Sequence, residues 1–393
     1  MKQAIKKGVT LKKSVGIDAI RSKIGLKETT ADDLTYSNAD KPISFYTMPD
    51  AFDDALKIPG FPKGYMSIIT GWSNTGKSTM INCAIASAMN EGALPVIYDT
   101  ENNFDFEYAI DCGMKATPIY DDVEYYDEET GEVIVKNQII RYDGDFIYFN
   151  SKMLADTYGT HDYSNGKECK KRDCAVIEDI AYSMNSILDM QKDGDIDRDI
   201  LFIWDSVGSV QSLRSVTSKT GNNMFDAGAL STAFNGVINE RIPCSRKMGS
   251  PYTNTFVVIN KIWDDSMTSS GLPSFALKGG KSFYFAARLI IHLGGVSKAS
   301  VKKLSATAKG QTYNYGIISK IKVNKNQLPT PYNLTYEGEV ACVHNGLCVV
   351  DRIDEYKKKY LKDILKKIED ISNGKVQGVS DTDISFTEAE CED

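Results

Sequence analysis

Eight cysteines are spread over 393 residues without one CxxC pair, and only three histidines accompany them. The tightest pairs, Cys169/Cys174 and Cys342/Cys348, lack zinc-finger spacing. The pattern argues against a structural zinc site or a disulfide framework and leads us to expect free thiols in a reducing cytoplasm. No run of eighteen apolar residues occurs, so neither a membrane-spanning helix nor a membrane partner is expected. Lysines within residues 1–13 have no apolar stretch behind them, unlike a secretory signal. Core material is plentiful: 42% of residues are hydrophobic and 10% aromatic, which excludes a wholly disordered chain.

Acid is missing from one long stretch. From Ser266 to Tyr336 there are ten lysines and arginines and no aspartate or glutamate, in a chain whose net charge is −7. A surface that faces a polyanion has a physical reason to exclude carboxylates, since each would repel phosphate and oppose counterion release. The first thirty residues are also basic, with eight bases against two acids. Residues 121–150 are the reverse, with nine acids and two bases, and residues 376–393 hold six acids and no base. That acidic, Ser/Thr-rich end is expected to be disordered.

Apolar runs at 65–70, 94–98, 200–204 and 255–259 alternate with helical patterns at 78–90, 105–112, 174–190 and 227–238. Strands at 288–293 and 316–323 complete the set. The alternation predicts an α/β fold with a mostly parallel central sheet and helices on both faces. Residues 117–173 break the rhythm and read as an insertion that begins with a hairpin and ends in a polar loop. Segments 1–47, 48–340 and 341–393 are expected to be a basic N-terminal segment, the α/β core, and a short charged helix with the acidic tail.

Gly71-Trp72-Ser73-Asn74-Thr75-Gly76-Lys77-Ser78 is a complete GxxxxGK[ST] loop between a predicted strand and a predicted helix. Its glycines let backbone N–H groups converge on phosphate oxygens at a helix N-terminus. Lys77 is then expected to reach the outer phosphates of ATP, and Ser78 or Thr79 to ligate Mg²⁺, with Ser78 at the motif position. Ile200 to Trp204 ends in Asp205, a position suited to holding the metal's water shell. Glu101, just past the strand that ends in Asp99, can orient and deprotonate an attacking water.

Together these motifs resemble the RecA family of DNA recombinases, and most of all its phage UvsX-like branch. The resemblance runs from about Met48 to Glu339, with 117–173 interrupting it. It includes the Gly60-Phe61-Pro62-Lys63-Gly64 turn, the phosphate loop, Asp99-Thr100-Glu101, Asp205-Ser206, and Gly279-Gly280-Lys281 through Arg288-Leu289. The family implies that Glu101 is the catalytic base and that Asp105 and Tyr108 meet the adenine. Lys261 occupies the family's γ-phosphate sensor position, where glutamine or histidine is usual. Lys325, in Lys325-Asn326-Gln327, matches a lysine that reaches ATP on the neighbouring subunit; Gln327 stands where the family has a second one. Residues 213–226, ending near Met224, fall at the first DNA loop and residues 262–280 at the second. Phe275, Lys278, Gly279, Gly280, Lys281 and Arg288 are therefore DNA-binding candidates, with Lys278 and Lys281 suited to phosphate contacts that ignore sequence.

The implied protein is a DNA-dependent ATPase that forms helical filaments of itself on single-stranded DNA and pairs it with homologous duplex DNA. A single-strand-binding protein or loading mediator is a candidate partner. Two rivals remain: a ring-shaped replicative helicase of the same core, and an ATP-binding protein that coats DNA with little hydrolysis.

Overall fold

The computed structural model describes residues 39–126, 133–163, 167–168, 170–217, 224–265, 274–277, 280–295, 300–308, 311–360, 365 and 384–390. The basic segment up to residue 38, Lys278 and Gly279 lie outside these. Strands β1 (Phe45–Thr47) and β2 (Gly60–Pro62) pair antiparallel around helix α1 (Asp50–Leu56). Strand β3 (Met66–Gly71), helix α2 (Lys77–Asn90), strand β4 (Leu94–Asp99) and helix α3 (Phe106–Asp111) follow in alternation. An antiparallel hairpin of β5 (Ala116–Tyr126) and β6 (Val133–Gly144) then intervenes before β7 (Ile147–Asn150).

Next come α4 (Ser151–Tyr158), the short pair β8 (His161–Asp162) and β9 (Lys167–Glu168), α5 (Ile177–Asp193) and β10 (Ile200–Val207). Helices α6 (Leu213–Thr217), α7 (Met224–Ala233) and α8 (Ile242–Ser245) lead to β11 (Thr255–Asp265), β12 (Ser274–Leu277) and α9 (Gly280–Ala286). The chain closes with β13 (Leu289–Leu293), β14 (Lys302–Ala308), β15 (Gln311–Asn326), β16 (Glu337–Val343), β17 (Gly346–Cys348) and β18 (Ile384–Glu390).

The main sheet runs in the order β17-β16-β15-β13-β3-β11-β10-β4-β7. Its pairs from β13 to β7 are all parallel, while β15, β16 and β17 add antiparallel. This is the expected α/β architecture. Successive side chains on a strand point to opposite faces, so each central strand feeds two cores. Ile69, Ile97, Ile203 and Val257 pack with α1 and α2 on one side. Ile68, Val96, Phe202, Trp204 and Val258 pack with α5, α7 and α9 on the other. Burial on both sides is why these strands read as unbroken apolar runs. Trp204 stacks on Phe234 at 5.4 Å, and Phe283 meets both rings edge-on.

The hairpin expected within 117–148 is present. Helix α4 is not among the expected elements; it starts because the Asn150 side chain accepts from Met153 N at 2.8 Å, a local cap. Strands β14, β16 and β17 also go unpredicted, and β15 is longer than expected. The acidic end, expected to be disordered, contains β18, which pairs antiparallel with β14. Among the described residues, no helix is long and apolar enough to cross a membrane.

Candidate functional site

Parallel strands end on one side of the sheet, and there the chain must turn into helices whose N-termini offer unpaired N–H groups. Strand β3 ends at Gly71, and α2 begins at Lys77 after Gly76, whose φ is 96°. A Cβ on Gly71 would lie 2.3 Å from the Leu293 carbonyl oxygen, and one on Gly76 would lie 2.3 Å from Cys342 Sγ. Only glycine lets this loop curl so close to its neighbours. Asn74, at φ 58°, completes the turn. Thr75 Oγ1 donates to the Trp72 carbonyl at 2.8 Å. Lys77 Nζ donates to the Gly71 carbonyl at 2.9 Å and also to that of Trp72, which folds the ammonium back over the loop.

This loop borders a cavity of about 450 Å³. Asn74, Thr75, Gly76, Lys77, Ser78, Thr79 and Tyr108 form one wall, and residues 314–317 and 342–344 form the other. Ser73 is exposed beside it. The Thr79 hydroxyl is engaged with Tyr108 Oη at 2.7 Å, and Tyr108 Oη donates to the Val343 carbonyl at 3.0 Å. Ser78 is exposed at the same rim, which leaves it better disposed than Thr79 toward a metal. Burial raises the Tyr108 pKa, so its hydroxyl keeps its proton. Asp105 is exposed and serves α3 as its N-cap, accepting from Tyr108 N at 3.0 Å. A larger cavity of about 630 Å³ lies between α5, α6 and α7, but it carries no phosphate-binding loop.

Glu101 follows β4, and the Ser206 hydroxyl donates to its Oε1. The same corner is tied by Thr100 N to the Asp205 carbonyl at 2.8 Å and by Trp204 Nε1 to Thr100 Oγ1 at 2.9 Å. Asp99 holds the following loop by accepting from Asn103 N, Phe104 N and Tyr148 Oη at 3.1, 2.9 and 2.9 Å. Asp205 is half-buried, directly across from Asp99 on the adjoining strand. Lys261 lies on β11 with its Cα paired to that of Gly71, so its backbone borders the phosphate loop.

Lys325 stands elsewhere. Ile290 pairs with both Lys325 and Ile68, whereas Leu293 pairs with Gly71. Lys325 is thus three residues, or about 10 Å along the strands, from the level of the phosphate loop. Its ammonium donates to the Tyr284 and Phe285 carbonyls at 2.6 and 3.3 Å, closing the C-terminus of α9. Burial and the nearby Arg288 lower its pKa. Arg288 is exposed in the same region and donates to Gln327 Oε1 at 3.0 Å. Among the other DNA candidates, Met224 opens α7, Phe275 lies on β12 opposite Asp264, and Gly280 and Lys281 open α9.

Several residues at the site carry no sequence signal. His292 is buried, with Nε2 3.2 Å from the Gly295 carbonyl and Nδ1 3.0 Å from Thr70 Oγ1. A carbonyl only accepts, so Nε2 carries the proton; Nδ1 lies against the Thr70 hydroxyl, which also reaches the Ile291 carbonyl at 3.1 Å. Trp72 Nε1 donates to the same Gly295 carbonyl at 3.2 Å, linking the phosphate loop to the end of β13. Cys342 lines the cavity beside Gly76, and burial pushes its thiol up to about 12, so it packs as a neutral side chain.

No family model matches the chain. Individual proteins do. Residues of this chain are 41% identical over 64 positions to Protein RecA of Chlorobaculum parvum, covering 16% of this chain and 18% of the relative. A plasmid RecA of Lactococcus lactis is 33% identical over 82 residues, 21% of this chain and 23% of the relative. RecA of Chloroflexus aurantiacus is 29% identical over 127 residues, 32% and 35% of the two chains. The chain is similar to RecA. The matched segments span between 18% and 35% of the length of these RecA proteins. The RecA similarity agrees with the α/β core and its phosphate loop.

Proposed function

We propose that this chain is a DNA-stimulated ATPase that assembles as a helical filament on single-stranded DNA and promotes pairing and strand exchange with homologous duplex DNA. One observation carries the reading: a glycine-built phosphate loop and a glutamate held by Ser206 lie at the same ends of the parallel strands. The cavity's size, its backbone cradle and the Lys77 ammonium suit ATP, and the exposed Ser78 with Asp205 suits Mg²⁺. Bound there, Mg²⁺ would neutralise charge on the outer phosphates. Lys77 would bind those phosphates, Ser78 would ligate the metal, Asp205 would orient its water shell, and Glu101 would accept the proton of the attacking water. Tyr108 borders the end of the cavity suited to the base.

Lys325 does not line the phosphate-loop cavity, and its ammonium turns to the Tyr284 and Phe285 carbonyls instead, which supports a role toward ATP held by a neighbouring copy. Lys261 backs the phosphate loop and is the candidate γ-phosphate sensor. Met224, Phe275, Lys278, Gly279, Gly280 and Lys281 are the candidate DNA contacts in the segments that follow β10 and β11.

Imaging of the protein with single-stranded DNA and ATP, alongside a strand-exchange assay, tests the reading. Helical filaments with exchanged product are expected. Closed rings with processive unwinding would replace the reading with a helicase. A coat that forms without nucleotide turnover would replace it with a DNA-coating protein.

A further inference from the structure

The β5–β6 hairpin belongs to the insertion and takes no part in the nucleotide site. Eleven residues of β5 pair with β6, a reach of about 36 Å at strand spacing. From Tyr120 onward the register is regular, so Tyr120, Asp122, Glu124 and Tyr126 share a face with their partners Ile139, Asn137, Val135 and Val133. On that face Tyr120 is 56% exposed, Tyr126 70%, Val133 58% and Val135 56%. A lone two-stranded ribbon is marginal in water, and an apolar stripe of this extent on a soluble surface marks a contact. Residues 116–144 also hold eight acids against two bases.

A complementary surface exists on the same chain. Tyr284 and Phe285 are 42% and 65% exposed, Leu334 is 51% exposed, and Arg288 is exposed beside them. All four lie within the stretch from 266 to 336 that has no acid. Both surfaces therefore combine apolar side chains with charge, of opposite sign. The hairpin leaves the sheet between β4 and β7, whereas the patch sits at the foot of β13, four to five strand spacings or about 19–24 Å away.

We infer that the hairpin is a docking arm that seats on the Arg288/Phe285 patch of a second copy of this chain. Two different surfaces meeting between identical copies give a heterologous contact, which propagates as an open filament unless the rotation closes a ring. The arm's base supports the location. Tyr142 stacks on Phe106 at 4.4 Å, so the arm is fixed to α3, the helix whose other face presents Tyr108 to the nucleotide cavity. A copy presenting Lys325 to that cavity would bring its neighbouring Arg288 patch within reach of the arm.

The inference rests on the self-association proposed above, and the test separates the two. The full chain, carrying a benzophenone amino acid at position 126, is mixed with isotopically heavy wild-type protein without DNA and irradiated. Cross-links between light and heavy copies at 284–288 or 334 are expected. In parallel, the D121K/D122K/E124K variant and R288E should each need on the order of tenfold more protein to assemble than the wild type, and mixing the two variants should restore assembly. Cross-links that fall elsewhere, or variants that assemble like the wild type, overturn the docking arm and leave the filament reading standing. A wild-type chain that stays monomeric with ATP and single-stranded DNA at every concentration overturns both.

Discussion

His292 shows how one side chain can join two strands at the phosphate loop. Its ring bridges Thr70, the residue before Gly71, and Gly295, which also receives Trp72. Burial, reinforced by the positive Lys77 and Lys322, lowers its pKa below the ordinary 6.5. The folded protein therefore binds this proton less readily than the unfolded chain does. The stabilisation is fully present above about pH 6.5 and is lost as pH falls through the lower folded value. Urea denaturation at pH 7.5 and 5.5 should show the wild type losing stability on acidification. H292Q should be weaker by about 1 kcal/mol at pH 7.5 and less sensitive to pH; an equal pH response in both would show that His292 does not titrate as described. Nothing in the sequence marks this residue. The phosphate loop is legible because its chemistry sits in eight consecutive residues, whereas His292, Cys342 and Val343 reach it only through strand pairing more than 200 positions away.

At the scale of elements, a buried ion pair holds the insertion to the core. Arg172 and Asp179 pair with side chains 7% and 0% exposed, through two hydrogen bonds of 3.1 and 2.9 Å. Asp179 also accepts from Tyr163 Oη at 2.7 Å and from Val176 N at 2.9 Å, so one carboxylate fastens the β8–β9 region to the start of α5. Removing one partner strands a buried charge, so R172M should cost roughly 3 kcal/mol in chemical denaturation. R172M combined with D179L should recover part of that loss; no recovery would mean that packing, not charge, dominates. The central strands were legible because burial on both faces demands continuous apolar runs, as in Ile200 to Trp204. Lys302–Ala308 and Glu337–Val343 were not: the first has Leu304 as its one large apolar residue, and the second is buried only over Val340 to Val343, a run too short and too small-sided to stand out. The ion pair was invisible for a related reason: Arg172 lies in a polar loop whose charge gives no hint of burial.

For the whole molecule, the two ends of the parallel sheet have separate characters. One end holds the phosphate loop, Glu101 and Asp205; the other holds Lys325, Arg288 and the exposed Tyr284 and Phe285. A chain with a nucleotide cradle at one end and a displaced lysine at the other is suited to stacking, with ATP between copies. Under the proposed filament reading, filament state and hydrolysis would be coupled equilibria, each biasing the other. The acid-free stretch from 266 to 336, found by counting, spans β12, α9, β13, β14 and β15, and so contributes to both ends. Charge distribution along a sequence can announce a polyanion partner without revealing which end of the sheet meets it.

The most direct measurement is steady-state ATP hydrolysis by wild type and E101Q, with and without single-stranded DNA. The account predicts strong stimulation of the wild type by DNA. It also predicts a fall of at least about 100-fold in E101Q, with nucleotide binding retained. Turnover in E101Q equal to the wild type, or a wild-type rate indifferent to DNA, would contradict it.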